Sequence, residues 1–339
     1  MRDTKTSVGR TSQVKTTALF LRLVVGLVAS ALVVWAFGAL WFDLLPAAAW
    51  SFLVVLLAAI LLLRRSGKAW LAPFAGFAAV LVWWLSLAPS HQRNWSVEYS
   101  RMPSAVIDGD KITLGNVRNF DFPAEGDPSP RWETRTYDLA GIEGMDLAIN
   151  YWGSPWIAHP IVIFRFKNQP PLAFSIETRR EQGEKYSALG GFFRQYELIV
   201  LAGDERDLLG SRVRRGEDVF LYATTATPER ARARLLDYLE TMVALNARPR
   251  WYNAVTSNCT TAIRAMNNHA PKMPLDWRLL INGKGDEMLY ELGMLRTEGQ
   301  TFETTKNGAL INTAAKKALA DTADFSRQIR AGRTEFSND

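Results

Sequence analysis

The residue with the clearest chemical potential is the single cysteine of this 339-residue chain, Cys259, which lies in the string 257–261 directly before a helical pattern at 262–268. A thiol at the start of a helix faces unpaired N–H groups and the positive end of the helix dipole, and both favour the thiolate. Asn258 and Ser257 are good N-cap residues. Cys259 is therefore a candidate nucleophile. A small buried hydrophobe stays an open alternative, because free cysteine is among the most buried residue types.

A thiol nucleophile needs a base, and the chain offers three histidines. His269 follows Cys259 by ten positions on the same predicted helix, so the two are expected about 15 Å apart. His91 follows the last long apolar stretch, and we expect it to be solvated. His159 lies in the apolar, β-branched run 157–164, which predicts a buried strand. A lone histidine in such a run is more often a satisfied core residue than a base, but His159 is the candidate base because of the strand predicted beside it.

A hairpin is predicted to bring polar side chains to His159. The run 172–177 follows a turn at 168–171 and alternates apolar with polar residues. Folding it back about Asn168 places Glu177 opposite His159, and a shift of two residues would place Ser175 or Arg179 there. A triad of Cys259, His159 and a polar residue is therefore predicted, with the third member either Glu177 or Ser175.

The electrostatics of this triad favour a thiolate. A carboxylate close to His159 favours the imidazolium, and an imidazolium beside Cys259 favours the thiolate. Taken alone, Glu177 is better explained by a surface salt bridge with Arg179 or Arg180.

Three uncharged apolar stretches, at 23–42, 44–63 and 69–88, precede this chemistry, and each is long enough to span a bilayer. Residues 1–68 contain eight Lys and Arg residues against Asp3 and Asp43, so they carry the whole net charge of +6. This distribution indicates membrane topology and argues against nucleic-acid binding. The positive-inside rule predicts a cytoplasmic N-terminus and a periplasmic domain after the third span.

The remainder of the chain predicts a domain of mixed structure. Short strands are expected first and an amphipathic helix later; the predicted segments are 105–107, 111–114, 134–137, 146–150 and 219–222 for the strands and 228–246 for the helix. The charged string 204–207 and the arginines at 212, 214 and 215 are predicted to be solvated surface, with phospholipid headgroup binding as the alternative. The segment 314–329 is predicted as peripheral helix.

The predicted organisation is a basic tail (1–22), a three-helix anchor (23–88), a periplasmic domain (89–297) and a helical extension (298–339). No metal-ligand spacing, P-loop or dinucleotide motif occurs, so we expect no cofactor and no metal.

The combination of several strings resembles the family of Lnb N-terminal periplasmic domains. The strings are those at 151–155, 175–180, 204–207, 251–253 and 258–261, together with His159, and the resemblance covers about residues 93–295. The family is named for a bacterial lipoprotein N-acyltransferase that uses a cysteine and a histidine. The resemblance implies Cys259 as nucleophile and His159 as base, and leaves Glu177 or Ser175 as the third residue. The residue order is also similar to that of circularly permuted papain-like enzymes.

The expected chemistry is attack of the Cys259 thiolate on an ester or amide carbonyl. The backbone N–H of Cys259 is an expected oxyanion donor, with Asn258 or Tyr151 as a second. Trp152 and Tyr252 are expected to contact the substrate. Tyr151 and Trp152 are equally well explained as aromatic core.

The expected fold class is α+β: three transmembrane helices followed by a permuted papain-like domain, an antiparallel sheet packed on helices. The expected function is that of a thiol-dependent acyltransferase or acyl hydrolase in the bacterial inner membrane, acting on a phospholipid or lipoprotein. A peptidoglycan amidase or endopeptidase with the same site, or a non-catalytic binding module, are the alternatives.

Overall fold

The computed structural model describes residues 5–121, 128–320 and 324–337. The first four residues of the predicted basic tail lie outside this range. The chain forms two compact units. One comprises Met1–Pro89 with Leu189–Gln195, and the other comprises Ser90–Ala188 with Tyr196–Asp339.

The first unit contains the three apolar helices that the sequence predicts. Their length and uniform hydropathy make them candidate membrane spans over Thr16–Asp43, Pro46–Ser66 and Ala69–Ser86. The helices themselves are α1 (Lys5–Asp43), α2 (Pro46–Leu63) and α3 (Ala72–Ser86). Helix α1 begins well before the first predicted span, so much of the predicted tail is helical.

A short segment outside the predicted anchor belongs to this first unit. Leu189–Gln195 was predicted as part of the periplasmic domain, but it groups with the three helices. Arg194 Nη1 donates hydrogen bonds to the carbonyls of Trp84 and Leu87, at 2.7 and 2.8 Å, at the end of α3. Asp43 accepts from Trp84 Nε1 at 2.6 Å and from the Arg194 backbone N–H at 3.1 Å. Arg194 therefore gives the Leu87 carbonyl a donor at the end of α3, and it gives the Trp84 carbonyl a second donor beside the Leu87 N–H.

The second unit is built on one eight-stranded sheet among the described residues. The strands are β1 (Ser104–Asp108), β2 (Lys111–Arg118), β3 (Trp132–Asp138), β4 (Ile142–Tyr151), β5 (Ala158–Phe166), β6 (Gln169–Arg179), β7 (Glu197–Asp204) and β8 (Asp218–Ala223). Their order is β1-β2-β7-β6-β5-β4-β8, with β3 on β2. The β2–β7 pair is parallel and the others are antiparallel. The α+β class is confirmed, but the sheet is mixed where an antiparallel one was expected.

The hairpin of β5 and β6 has the predicted register. Ile161 pairs with Ser175 and Phe166 with Gln169. The turn is possible because Asn168 has a φ of 57°, in the left-handed region that asparagine tolerates better than most residues. Extending the pairing by two residues places Glu177 beside His159.

Helices cover both faces of the sheet. They are α4 (Glu205–Arg214), α5 (Pro228–Ala247), α6 (Cys259–Ala265), α7 (Gly285–Glu291), α8 (Phe302–Ala309), α9 (Asn312–Ala320) and α10 (Phe325–Gln328). Helix α5 carries the predicted apolar stripe, and Leu235, Leu239 and Met242 are fully buried in the larger core. This core lies between α5 and the sheet and also contains Cys259.

The C-terminal helices form the second core, on the opposite face. Ile311, Ala315, Phe325 and Ile329 are buried there together with residues of α4. The prediction that 314–329 is peripheral was wrong, because its spaced apolar residues are buried in one cluster with residues of α4 and the sheet.

The charged string 204–207, at the start of α4, is also more deeply buried than predicted. Asp207 is 1 % exposed and accepts two hydrogen bonds from Arg118, at 2.9 and 3.0 Å. Glu205 is buried and pairs with Arg330. A buried charge requires such a partner, and these partners are distant in sequence. Of the three predicted surface arginines, Arg214 and Arg215 are exposed and Arg212 is not.

Candidate active site

Cys259 is the first residue of α6, as predicted. Asn258 caps the helix, since its side-chain oxygen accepts from the N–H groups of Thr260 and Thr261 at 2.9 and 2.7 Å. Thr261 Oγ1 accepts in turn from the Asn258 backbone N–H at 2.9 Å, which completes a capping box. The helix ends at Ala265, before the predicted end at 268, and the thiol is 6 % exposed.

His159, Ser175 and Glu177 meet where β5 begins and β6 ends. His159 Nε2 lies 2.6 Å from Ser175 Oγ and 3.2 Å from Glu177 Oε1. Ser175 Oγ donates to the same carboxylate oxygen at 2.7 Å. Because the serine hydroxyl donates to Glu177, it accepts from Nε2–H. Both candidates for the third position therefore contact the histidine: Ser175 is nearer, and Glu177 supplies the charge.

The thiol of Cys259 also forms a hydrogen bond with the His159 side chain. Burial alone would lower the pKa of His159, but the Glu177 carboxylate and hydrogen bonds with Cys259 and Glu177 raise that pKa to about 9. Burial opposes ionisation of Cys259 as well. Hydrogen bonding to His159 and its charge, followed by contacts with Thr260 and Asn282, bring the pKa of the thiol below its usual value. Both shifts favour a thiolate–imidazolium pair over the neutral thiol and imidazole.

Arg212 is an unpredicted member of this site. Its guanidinium Nη2 contacts Glu177 Oε1 directly, and its side chain is only 16 % exposed. Although burial disfavours a charged carboxylate, Arg212 and then His159 hold the pKa of Glu177 well below its usual range. The expected partners Arg179 and Arg180 instead donate to the backbone oxygen and the hydroxyl of Tyr99, at 3.0 and 2.8 Å.

Asn282 is a second unpredicted member. Its Nδ2 donates to Cys259 Sγ at 3.3 Å, and its Oδ1 accepts from the Ala158 N–H at 3.1 Å. The next residue, Gly283, is packed so tightly on the backbone of Trp156 that a Cβ would lie 2.3 Å from a Trp156 atom. The lack of a side chain at Gly283 thus allows the close approach that places the Asn282 amide at the thiol.

Two expected oxyanion donors are engaged elsewhere. The Asn258 amide caps α6 and donates through Nδ2 to the Ala254 carbonyl at 2.9 Å. Tyr151 is buried, and its hydroxyl oxygen lies 3.0 Å from Asp286 Oδ2, to which it donates, and 3.1 Å from the Gly283 carbonyl oxygen. Tyr151 fits the alternative of a structural aromatic residue, and Asn282 donates a side-chain hydrogen bond to the sulfur.

The predicted substrate contacts Trp152 and Tyr252 do lie beside the nucleophile. They line a cleft of about 390 Å³ together with Cys259, His159 and Tyr186. The rings of Trp152 and Tyr186 meet edge to face, with centroids 6.3 Å apart. Aromatic walls of this kind suit a ligand with an apolar part, and Arg180 and Arg215 give the same cleft a charged wall.

The other histidines lie away from the thiol. His91 is half-buried, and Nε2 lies 3.1 Å from the Asn246 carbonyl while Nδ1 faces Arg179, so the expectation that it is simply solvated was wrong. His269 lies beyond the end of α6, and its Nε2 is 2.6 Å from Glu240 Oε1.

Residues 129–283 match the family model of the Lnb N-terminal periplasmic domain. Comparisons with curated proteins and with solved structures gave no match. The matched range contains the whole Cys259, His159, Ser175 and Glu177 arrangement as well as Arg212 and Asn282, and it ends one residue after Asn282.

Proposed function

Since residues 129–283 are an Lnb N-terminal periplasmic domain that follows three apolar helices, we propose that this membrane protein is a thiol-dependent acyltransferase or acyl hydrolase. It forms an acyl-enzyme on Cys259 and acts on a phospholipid or a lipoprotein. The observation that carries the proposal is the hydrogen-bonded series from the thiol through His159 to Ser175 and Glu177. A buried structural cysteine would not need a charged histidine against it.

The first half-reaction forms the acyl-enzyme. The Cys259 thiolate attacks the carbonyl carbon, an S–C bond forms, and the carbonyl electron pair moves to oxygen. When the tetrahedral intermediate collapses, the C–O or C–N bond to the leaving group breaks. The His159 imidazolium gives its proton to that leaving group. In the second half-reaction an amine or water loses a proton to His159 and displaces the thiolate.

Two donors suit the oxyanion of the intermediate. The backbone N–H of Cys259 is at the start of α6, where it lacks an intrahelical acceptor. The Asn282 amide, 3.3 Å from the sulfur, is the second. Fixed donors placed where negative charge develops are typically worth a factor of about 100 or more in rate each.

A lipid substrate is supported by the anchor. Three spans keep the domain next to a bilayer, which raises the effective concentration of lipid at the site. The second connection, between the second and third spans, carries Arg64, Arg65 and Lys68, whereas the first contains Asp43. We propose from this asymmetry an inner-membrane protein with a cytoplasmic N-terminus.

The topology is tested with reporter fusions. A reporter that works only in the periplasm should be active when fused after Trp95 and inactive when fused at Gly67. The opposite pattern would place the domain in the cytoplasm and refute the proposed orientation.

The activity is tested by intact-mass spectrometry of the full chain in lipid nanodiscs. After incubation with a phospholipid or a lipopeptide, the protein should gain the mass of one acyl group, and hydroxylamine should remove it because thioesters are labile to this nucleophile. The Cys259→Ala variant is the control and should gain nothing. Cleavage of a muropeptide without acylation by either lipid would instead support the peptidoglycan hydrolase.

A further inference from the structure

A second cavity adjoins the nucleophile, separate from the aromatic cleft. Its volume is about 310 Å³, within the range of small-molecule sites. The floor is formed by apolar residues of the sheet, and the walls by α6 and the segments that follow it. The principal apolar residues are Leu147, Ile149, Val162, Ile263, Met273 and Met288.

This cavity meets the active site at two residues. Asn282, whose Nδ2 contacts the Cys259 sulfur, lines both the cavity and the aromatic cleft. Thr260, the residue after the nucleophile, also lines the cavity. At the other side the lining includes Arg230 and Lys272, which are exposed, so the cavity reaches the protein surface.

The chemistry of the lining suits a flexible aliphatic ligand. Met145, Met273, Met288 and Met294 account for four of the eight methionines of the chain. Methionine is unbranched and adaptable, so its side chain fits ligands of irregular shape. The buried Arg234 does not offer a free charge, because it donates to the carbonyls of Met266 and Pro271 at 2.6 and 3.1 Å.

We propose that this cavity binds the hydrocarbon chain of the acyl group while its carbonyl carbon is bonded to Cys259. The hydrocarbon chain passes the Asn282 side chain and lies between the sheet and α6. The inference rests on the proposed acyl-enzyme, and it assigns the site that selects the acyl group. A polar peptide stem would leave its hydrogen-bonding groups unpaired against this surface.

The test uses the reactivity of Cys259 alone and needs no enzymatic turnover. The full chain in nanodiscs is treated with N-alkyl maleimides from methyl to octyl, and labelling of its single cysteine is followed by mass. Burial of one methylene is worth about 0.8 kcal/mol, or up to about fourfold. The labelling rate should therefore rise by as much as fourfold for each added methylene until the cavity is filled.

Longer maleimides also partition more strongly into lipid, which could raise the labelling rate without any binding in the cavity. Variants of the cavity wall distinguish the two effects. Ala270 is 5 % exposed and lines the cavity, so a phenylalanine there should fill the space for the alkyl group. Each labelling rate is divided by the rate with N-methylmaleimide. In Ala270→Phe these relative rates should no longer depend on the length of the alkyl group. Ile149→Phe narrows the same cavity from the sheet and should give the same result if Ala270→Phe does not fold. The matched control Ala244→Phe, on the exposed side of α5, should retain the dependence of the wild type.

The cavity assignment is overturned if wild-type rates do not change with chain length, or if both folded wall variants keep the dependence. The proposed acyl transfer fails separately, if rates depend on chain length but no lipid or lipopeptide acylates Cys259.

Discussion

Replacing Glu177 by glutamine tests whether this carboxylate is the charge that maintains the thiolate–imidazolium pair. Glu177 Oε1 contacts His159, Ser175 and Arg212. Glutamine preserves the size of the side chain but removes its charge. We expect the pKa of His159 to fall and that of the Cys259 thiol to rise, so that less thiolate is present at pH 7.

The expected size of the effect follows from the pKa of the histidine. In the folded protein it is about 9, whereas an unperturbed histidine has about 6.5, and one pKa unit corresponds to about 1.4 kcal/mol. The surroundings therefore stabilise the imidazolium by about 3 kcal/mol. Glu177 provides the largest favourable part, so Glu177→Gln should slow alkylation of Cys259 at pH 7 by about tenfold to 100-fold.

Ser175→Ala provides the comparison within the site. It removes a hydroxyl but keeps the carboxylate, and a hydrogen bond of this kind contributes about 1 kcal/mol, or about fivefold. Glu181→Gln, at a side chain 39 % exposed, is the matched charge control and should have no effect on the rate.

The assay is the rate of iodoacetamide labelling as a function of pH, with thermal unfolding recorded for each variant. Thermal unfolding is needed because Glu177→Gln removes the closest acceptor of Arg212, leaving Glu217 at 3.9 Å. A folded Glu177→Gln protein that labels at the wild-type rate would refute the electrostatic argument. A larger loss in Ser175→Ala would assign the dominant role to the hydroxyl relay.

Three further outcomes are expected. Turnover should fall as the pH rises through about 9, because the His159 imidazolium that protonates the leaving group loses its proton there. The alkylation rate of Cys259 should not fall over the same range, because alkylation needs no such proton. Parallel pH profiles of both reactions check this difference. Asn282→Ala should lower the rate of acyl-enzyme formation about 100-fold, measured by rapid-quench mass spectrometry, and an unchanged rate would exclude an oxyanion role. Asp207→Asn should destabilise the protein by about 3–5 kcal/mol by leaving the buried Arg118 without its partner, while Asp110→Asn in an exposed pair should cost about 1 kcal/mol or less in denaturant unfolding.

The core of the site is predictable because local rules determine it. A tight turn at Asn168 sets the register of β5 and β6, and the register then determines which side chain faces His159. The position of Cys259 at a helix start follows from the capping residues that precede it.

Other features depend on contacts that no local pattern encodes. Strand β7 was not predicted, because residues 198–202 are continuously apolar and such a run does not distinguish a strand from a buried helix. Arg212 follows its partner Glu177 by 35 positions, and Asn282 follows its partner Cys259 by 23 positions. The charges of α4 were assigned to the surface because charged residues are rarely buried unless paired, and their partners are far away in sequence.

The contact between Arg330 and the sheet has a consequence for biosynthesis. Arg330 pairs with Asp146 at 2.9 Å and with Glu205 at 2.6 Å, and Asp146 precedes it by 184 residues. At elongation rates of about 5–20 residues per second, Asp146 is made roughly 10 to 40 s before its partner. During this interval the face that Phe325 and Ile329 later cover stays open to solvent. The nascent domain therefore passes through a stage at which every residue of the Cys259 core has been made while apolar residues of the opposite core still lack their cover.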